Sequence, residues 1–238
     1  NSSESPLFKK GQVLYGLHET GRYIRTEDSA ILVEGYVDAI SLYCAGIKNV
    51  VAILGTAFTA AHAQVLRRYT SNITMLLDGD AAGIAGAERS LPILLEAGLL
   101  PKGYVLPDGM DPDDFIRAQG SEKLSKEIAH AQDLFTLLLH RCWLKAYNGS
   151  VIGKIQVIEQ IGSILARARD SKVADLYSVE LARQLDVDLS WVRRAMKGQP
   201  SLGAKSPPSA IDNPSSVETV THLAEDLIHL KDAPRPET

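Results

Sequence analysis

The chain has 238 residues, 45% of them apolar and 23% charged, with a formal net charge of −4 at pH 7. This is an ordinary soluble composition with enough apolar material for a sizeable core and two compact units. It carries neither an uninterrupted apolar run of membrane-spanning length nor a charged-then-apolar signal segment, and two cysteines, Cys44 and Cys142, are too few for a disulfide framework or a zinc site.

Residues 1–28 are polar and irregular, a lead-in segment with Phe8, Leu14, Tyr15 and Leu17 as anchors onto a neighbouring core. From about residue 30 to residue 120, strands and helices alternate. The pattern predicts a strand over 30–33, a helix over 37–45, a strand over 49–54, a helix over 59–70 and a strand over 73–77. A helix over 82–97, a strand over 103–106 and short helices near 112–117 and 121–130 follow. The inner strands are continuous apolar runs, as expected for a sheet covered on both faces. From residue 131 the period changes to that of a helix. Phe135, Leu138, Leu139, Cys142 and Trp143 form one stripe; Ile155, Ile158, Ile161, Ile164 and Leu165 form another; Leu176, Val179, Leu181 and Leu185 form a third. The cysteines fall inside these apolar patterns and read as buried bystanders. Residues 199–216, rich in Pro and Ser, read as a flexible linker, and Val217 to Leu230 as a short amphipathic stretch. The resulting division is 1–28 lead-in, 29–120 α/β domain, 121–198 helical subdomain and 199–238 linker with amphipathic tail. The first residue is Asn1, so the chain is expected to be a piece of a longer or processed protein.

Charge is distributed unevenly along this plan. Residues 29–120 hold 10 acids against 6 bases, and residues 121–198 hold 9 against 12. The α/β part is therefore acidic, without the basic footprint usual in a nucleic-acid binder. Its acids are not scattered: Glu34 follows Ala30-Ile31-Leu32-Val33, Asp78 and Asp80 follow Ile73-Thr74-Met75-Leu76-Leu77, and Asp111 and Asp113 come shortly after Tyr104-Val105-Leu106. In a parallel sheet the crevice beyond the carboxyl ends of the strands receives ligands, and hard divalent cations need oxygen donors. Each group alone is also an ordinary turn or helix-cap sequence. Three at equivalent places favour a cation site and phosphoryl-transfer chemistry. Gly55-Thr56, after the second strand, could offer backbone donors or a hydroxyl to phosphate, or simply end the strand and cap a helix. Trp191, Arg193, Arg194 and Lys197 give a basic helix that reads as solvated bundle surface.

Leu32-Val33-Glu34-Gly35-Tyr36-Val37-Asp38 followed by Asp78-Gly79-Asp80 resembles the Toprim domain shared by bacterial primases, topoisomerases and some nucleases. Asn1-Ser2-Ser3-Glu4-Ser5-Pro6-Leu7-Phe8-Lys9-Lys10-Gly11 with Leu14-Tyr15-Gly16-Leu17, Leu54-Gly55-Thr56-Ala57, and Leu106-Pro107-Asp108-Gly109 with Asp111-Pro112-Asp113 narrow the likeness to the bacterial DnaG-type primase family. The likeness is specific over residues 1–120 and looser over 121–198. It departs at Ala81, where an Arg is common.

The resemblance implies a Toprim-type, mostly parallel sheet flanked by helices and followed by a small α-helical bundle. It implies synthesis of RNA primers on a single-stranded DNA template from ribonucleoside triphosphates, with Mg²⁺ or Mn²⁺. Glu34, Asp78 and Asp80 would be catalytic; Glu34, Asp78, Asp80, Asp111 and Asp113 would bind metal. Asp38 would be an accessory acid, and Lys10 would face phosphate or template, with Gly55 and Thr56 as further candidates. Zinc is expected only in an upstream domain, and the replicative helicase would dock on a domain beyond Thr238. The setting implied is cytoplasmic, at replication forks and within the primosome, with no membrane. A Toprim nuclease or topoisomerase is the enzymatic alternative, although a topoisomerase needs a nucleophilic Tyr and neither Tyr147 nor Tyr177 has the context for one. A non-catalytic replication interaction module is the other.

Overall fold

The computed structural model describes residues 4–5, 8–107, 109–147 and 149–198. Asp108, the linker expected over 199–216 and the amphipathic stretch after it lie outside the described residues. In chain order the elements are α1 (Leu17–Glu27), β1 (Ala30–Val33), α2 (Tyr36–Cys44), β2 (Val50–Ala52), α3 (Ala60–Arg67), β3 (Asn72–Leu77), α4 (Ala81–Glu96) and β4 (Leu100–Val105). Then come α5 (Pro112–Gln119), α6 (Ser121–Ala129), β5 (Gln132–Asp133), α7 (Leu134–Leu138), a π-helical turn over Leu139–Trp143, α8 (Leu144–Ala146), α9 (Val151–Leu165), α10 (Ser171–Leu185) and α11 (Leu189–Met196).

Among the described residues the sheet runs β2-β1-β3-β4-β5, with β1, β2, β3 and β4 parallel and β5 antiparallel to β4. The α/β class with a mostly parallel sheet, expected from the sequence, is thus the fold observed. From β1 the chain crosses to β2 on one side, then returns to place β3 on the other. That reversal makes the carboxyl ends of β1 and β3 the switch point of the sheet, where open α/β folds bind ligands. Leu32 pairs with Met75 across it, so Glu34 and Asp78 leave neighbouring strands at the same end.

All four residues of β1 are buried. Ala30 and Leu32 join the larger core with residues of α3, α4 and the later helices, whereas Ile31 and Val33 join a smaller core with α2, α5 and α6. Burial on both faces is why the run contains no polar alternation. Helices begin where a side chain satisfies the free first-turn amides. Thr59 Oγ1 accepts from His62 N at 3.2 Å, and His62 Nδ1 accepts from Thr59 N at 3.3 Å. The proton on His62 is therefore at Nε2, which donates to Lys10 O at 2.9 Å. His62 is fully buried, and burial lowers its pKa.

The structure departs from the sequence reading in four places. The lead-in contains a regular helix, α1, whose inward face carries Thr20, Gly21 and Ile24. Strand β4 starts earlier, at Leu100, and runs through Pro101. Leu100 N donates to Ser71 O, so the missing N–H of Pro101 lies on the opposite edge, where β5 pairs only with Lys102 and Gly103. On α10 the buried face is Ala174, Ser178, Leu181, Ala182 and Leu185, while Leu176 is 70% exposed and Val179 49%. Finally, Cys44 is exposed and Cys142 only partly buried.

Candidate metal centre

The acids at the switch point are placed by three strand-to-helix turns. Glu34 follows β1, and Gly35 caps α2, whose first turn carries Asp38. Asp78 follows β3, and Asp80 caps α4, accepting from Gly83 N at 2.8 Å. Asp111 caps α5, accepting from Asp114 N at 2.8 Å. Gly79 joins the second turn to the third, its N–H donating to Met110 O at 3.3 Å. A Cβ on Gly79 would lie 2.2 Å from Pro107 O and 2.8 Å from Leu106 O. Only glycine lets those two loops approach so closely.

The electrostatics of this end of the sheet are those of crowded carboxylates. Burial, then the charges of Glu34, Asp38, Asp80 and Asp111, raise the pKa of Asp78 to about 6. Asp38 is also raised to about 6, by burial and by Asp111, Asp113 and Glu34, against a lowering hydrogen bond from the Gly35 backbone. Glu34 is raised by burial and by Asp80, with Arg89 opposing. Like charges held together in a half-buried cleft favour protonation or a counter-cation. The oxygen-only donor set suits a hard divalent ion.

Among the described residues no three acids already surround a common point at ligating distance. The reason lies in their local bonds: Asp80 and Asp111 are turned to their helix caps, and Asp113 accepts from Ser41 Oγ at 2.6 Å and pairs with Arg117 at 2.7 Å. Asp78, which follows β3 directly, has none of these cap bonds and is the acid on which the other charges converge.

Gly55 has φ +66, and Thr56 Oγ1 is buried without a hydrogen-bond partner among the described residues. Both line a cavity of about 300 Å³ with Glu34, Phe58, Arg89 and Ser90. Lys10 is elsewhere, lining a cavity of about 530 Å³ with Tyr15 and Tyr36. The sequence reading did not single out Arg89. Its signal was the i, i+3 spacing from Gly86, which puts the two on one face of α4, the one toward Glu34: a Cβ on Gly86 would lie 3.4 Å from Glu34 Oε1 and 3.9 Å from Arg89 Nη2. Tyr177, weighed as a nucleophile, is instead structural. Its ring stacks on Phe135, its hydroxyl donates to Asp133, and burial holds its pKa far above the usual range.

A Toprim-like family model matches residues 31–116. The DNA primase of Halalkalibacterium halodurans is 35% identical over 195 residues, 82% of this chain and 33% of the relative. The chain is a homologue of the bacterial DnaG primases. A DNA primase domain from Pseudomonas aeruginosa superposes with a TM-score of 0.74 at 32% identity, covering 82% of this chain and 62% of that one. A DnaG primase catalytic domain bound to single-stranded DNA gives 0.70 at 31% identity, covering 77% and 60%. The chain spans about a third of the length of the curated primases it matches. The Toprim-type α/β fold is therefore the primase one. No helix among the described residues is long and apolar enough to cross a membrane.

Proposed function

We propose that this chain is the Toprim-bearing part of a primase, a DNA-directed RNA polymerase that builds RNA primers on single-stranded DNA from ribonucleoside triphosphates. The observation that carries the reading is the convergence of acidic charge on Asp78 at the switch point of a primase-like sheet. Asp78 and Asp80, with Glu34, Asp111 and Asp113, are the residues that would hold a divalent cation, Mg²⁺ or Mn²⁺, and Asp38 stands beside them. When bound, such an ion neutralises phosphate charge and lowers the cost of forming an oxygen nucleophile.

The chain's own residues supply the rest. Glu34, lifted by burial and flanked by Arg89, is a stronger base than an exposed carboxylate and serves to orient or deprotonate the attacking 3′-hydroxyl. Gly55 and the unpartnered Thr56 hydroxyl offer hydrogen bonds to substrate in the cavity beside it. Lys10, in the separate cavity lined with Tyr15 and Tyr36, would offer a cation to phosphate or template. Template binding rests on the likeness to the domain bound to single-stranded DNA, and the expectation of zinc in an upstream part on the likeness to the Aquifex aeolicus primase structure of zinc-binding and RNA polymerase domains. Helicase docking through a separate domain and action at replication forks in the cytoplasm extend the same reading.

The test is primer synthesis by the full-length protein with Glu34→Gln. The two side chains have nearly the same shape, so a large loss of activity with an unchanged melting temperature supports the assignment. Synthesis at the parental rate removes Glu34 from the chemistry.

A further inference from the structure

A third recess, of about 430 Å³, opens between the start of α4 and the π-helical turn. One wall is Gly79, Asp80 and Ala81; the other brings in Arg141 and Lys145, with Glu88 between. A π-helical turn displaces the side chains that follow it from their ordinary helical positions and is frequent at functional sites. Here the turn is pinned. Trp143 is 3% exposed and its Nε1 donates to Glu88 Oε1 at 2.6 Å, while Gln160 Nε2 donates to the same oxygen at 3.2 Å. Arg141 and Lys145 lie two residues before and two after that anchor, on the segment it fixes. Both are exposed, and among the described residues neither enters an ion pair. One oxygen of the Glu88 carboxylate, Oε1, is already engaged by those two donors. Ala81 and Ala82 stand at the first turn of a long helix, where amides have no partner within the helix and favour an anion.

We propose that this recess takes the phosphate tail of a nucleoside triphosphate, with Arg141 and Lys145 binding its oxygens beside Asp80. The inference rests on the metal-site reading above and extends it to residues of the helical segment. A triphosphate concentrates negative charge in a short tail and travels with a divalent cation. It therefore needs carboxylates and cations side by side. A nucleic-acid strand spreads its charge along its length and is matched by a basic stripe, whereas here the two cations share their recess with Asp80.

The test uses the whole chain, with inorganic tripolyphosphate and excess Mg²⁺ as probe, and compares it with the Arg141→Gln/Lys145→Gln double variant. Both side chains are exposed, so the melting temperature should not move. Charge-assisted hydrogen bonds to phosphate are strong, and their loss should weaken tripolyphosphate binding about tenfold or more. Anisotropy of a labelled single-stranded oligonucleotide should stay as it was. Unaltered tripolyphosphate affinity in the variant, or no tripolyphosphate binding by the parent chain, overturns the proposal. So does an equal loss of oligonucleotide binding, which would give the two cations to strand phosphates. Mn²⁺ titration separates this failure from that of the metal site: a parent chain that binds no Mn²⁺ refutes the metal-site reading, whereas a chain that binds Mn²⁺ but ignores the double substitution refutes only the tail site.

Discussion

The charge of Glu34 weighs more on Asp78 than that of any other acid at the end of the sheet. The two residues leave paired parallel strands at the same end, so the fold itself imposes the repulsion. Asp78 and Asp38, both raised to about 6, lie above the unfolded carboxylate value near ~4. Between those values the folded chain binds more protons than the unfolded one, so stability falls as pH rises through the window. In metal-free buffer the melting temperature of Asp78→Asn should therefore fall less than that of the parent between about pH 4 and pH 6. Equal slopes for the two proteins would show that Asp78 is not under this strain. Added Mg²⁺ should raise the parent's melting temperature at neutral pH by mass action, since the site exists only in the folded state.

Gly79→Ala should be costly although it adds one methyl group. The new Cβ would meet two backbone carbonyl oxygens, those of Pro107 and Leu106, and backbone cannot swing aside as a side chain can. A destabilisation of about 1–3 kcal/mol is expected. Denaturant unfolding of the variant measures it, and a change within a few tenths would mean that the loops separate freely.

Trp143 ties the π-helical turn to α4 through Glu88. Trp143→Phe keeps most of the buried ring but leaves Glu88 without that donor, so about 1–3 kcal/mol should be lost. Trp143→Ala should cost more, roughly 3–5 kcal/mol, by adding a cavity against Phe135. A calorimetric melting series would rank the two: no loss in Trp143→Phe would show that the hydrogen bond contributes nothing, and equal losses in both that the ring's packing contributes nothing.

Much of this was legible in the sequence because the strongest signals are local. The apolar runs of β1 and β3 are buried on both faces, and the acids follow them directly, so alternation and strand ends disclosed both the sheet and the candidate site. What was not legible depended on partners distant in the chain. Helix α1 has few apolar residues, and only its packing under the sheet explains Ile24 and Thr20. Strand β4 is hidden by Pro101 and by Gly103, where a Cβ would meet Leu134 Cδ1 at 2.8 Å. The outward Leu176 and Val179 misled the third stripe, because in the first half of α10 the inward face is made of small residues, Ala174 and Ser178. Arg141 and Lys145 carry no motif at all; their place beside Asp80 follows from a π-helical turn and one tryptophan.

Asp113 offers a graded test of the acidic set. Ser41 and Arg117 already occupy its oxygens, so Asp113→Asn should weaken cation binding less than Asp78→Asn does. Equilibrium dialysis with Mn²⁺ compares them. The reverse order would mean that Asp113 abandons both partners to ligate the ion.

If the acids around Asp78 form one cation site, isothermal titration of the whole chain with Mn²⁺ will reveal it. Binding should be saturable in the parent chain and abolished in the Asp78→Asn/Asp80→Asn double variant, with the fold intact by circular dichroism. Binding that persists unchanged in that variant would contradict it.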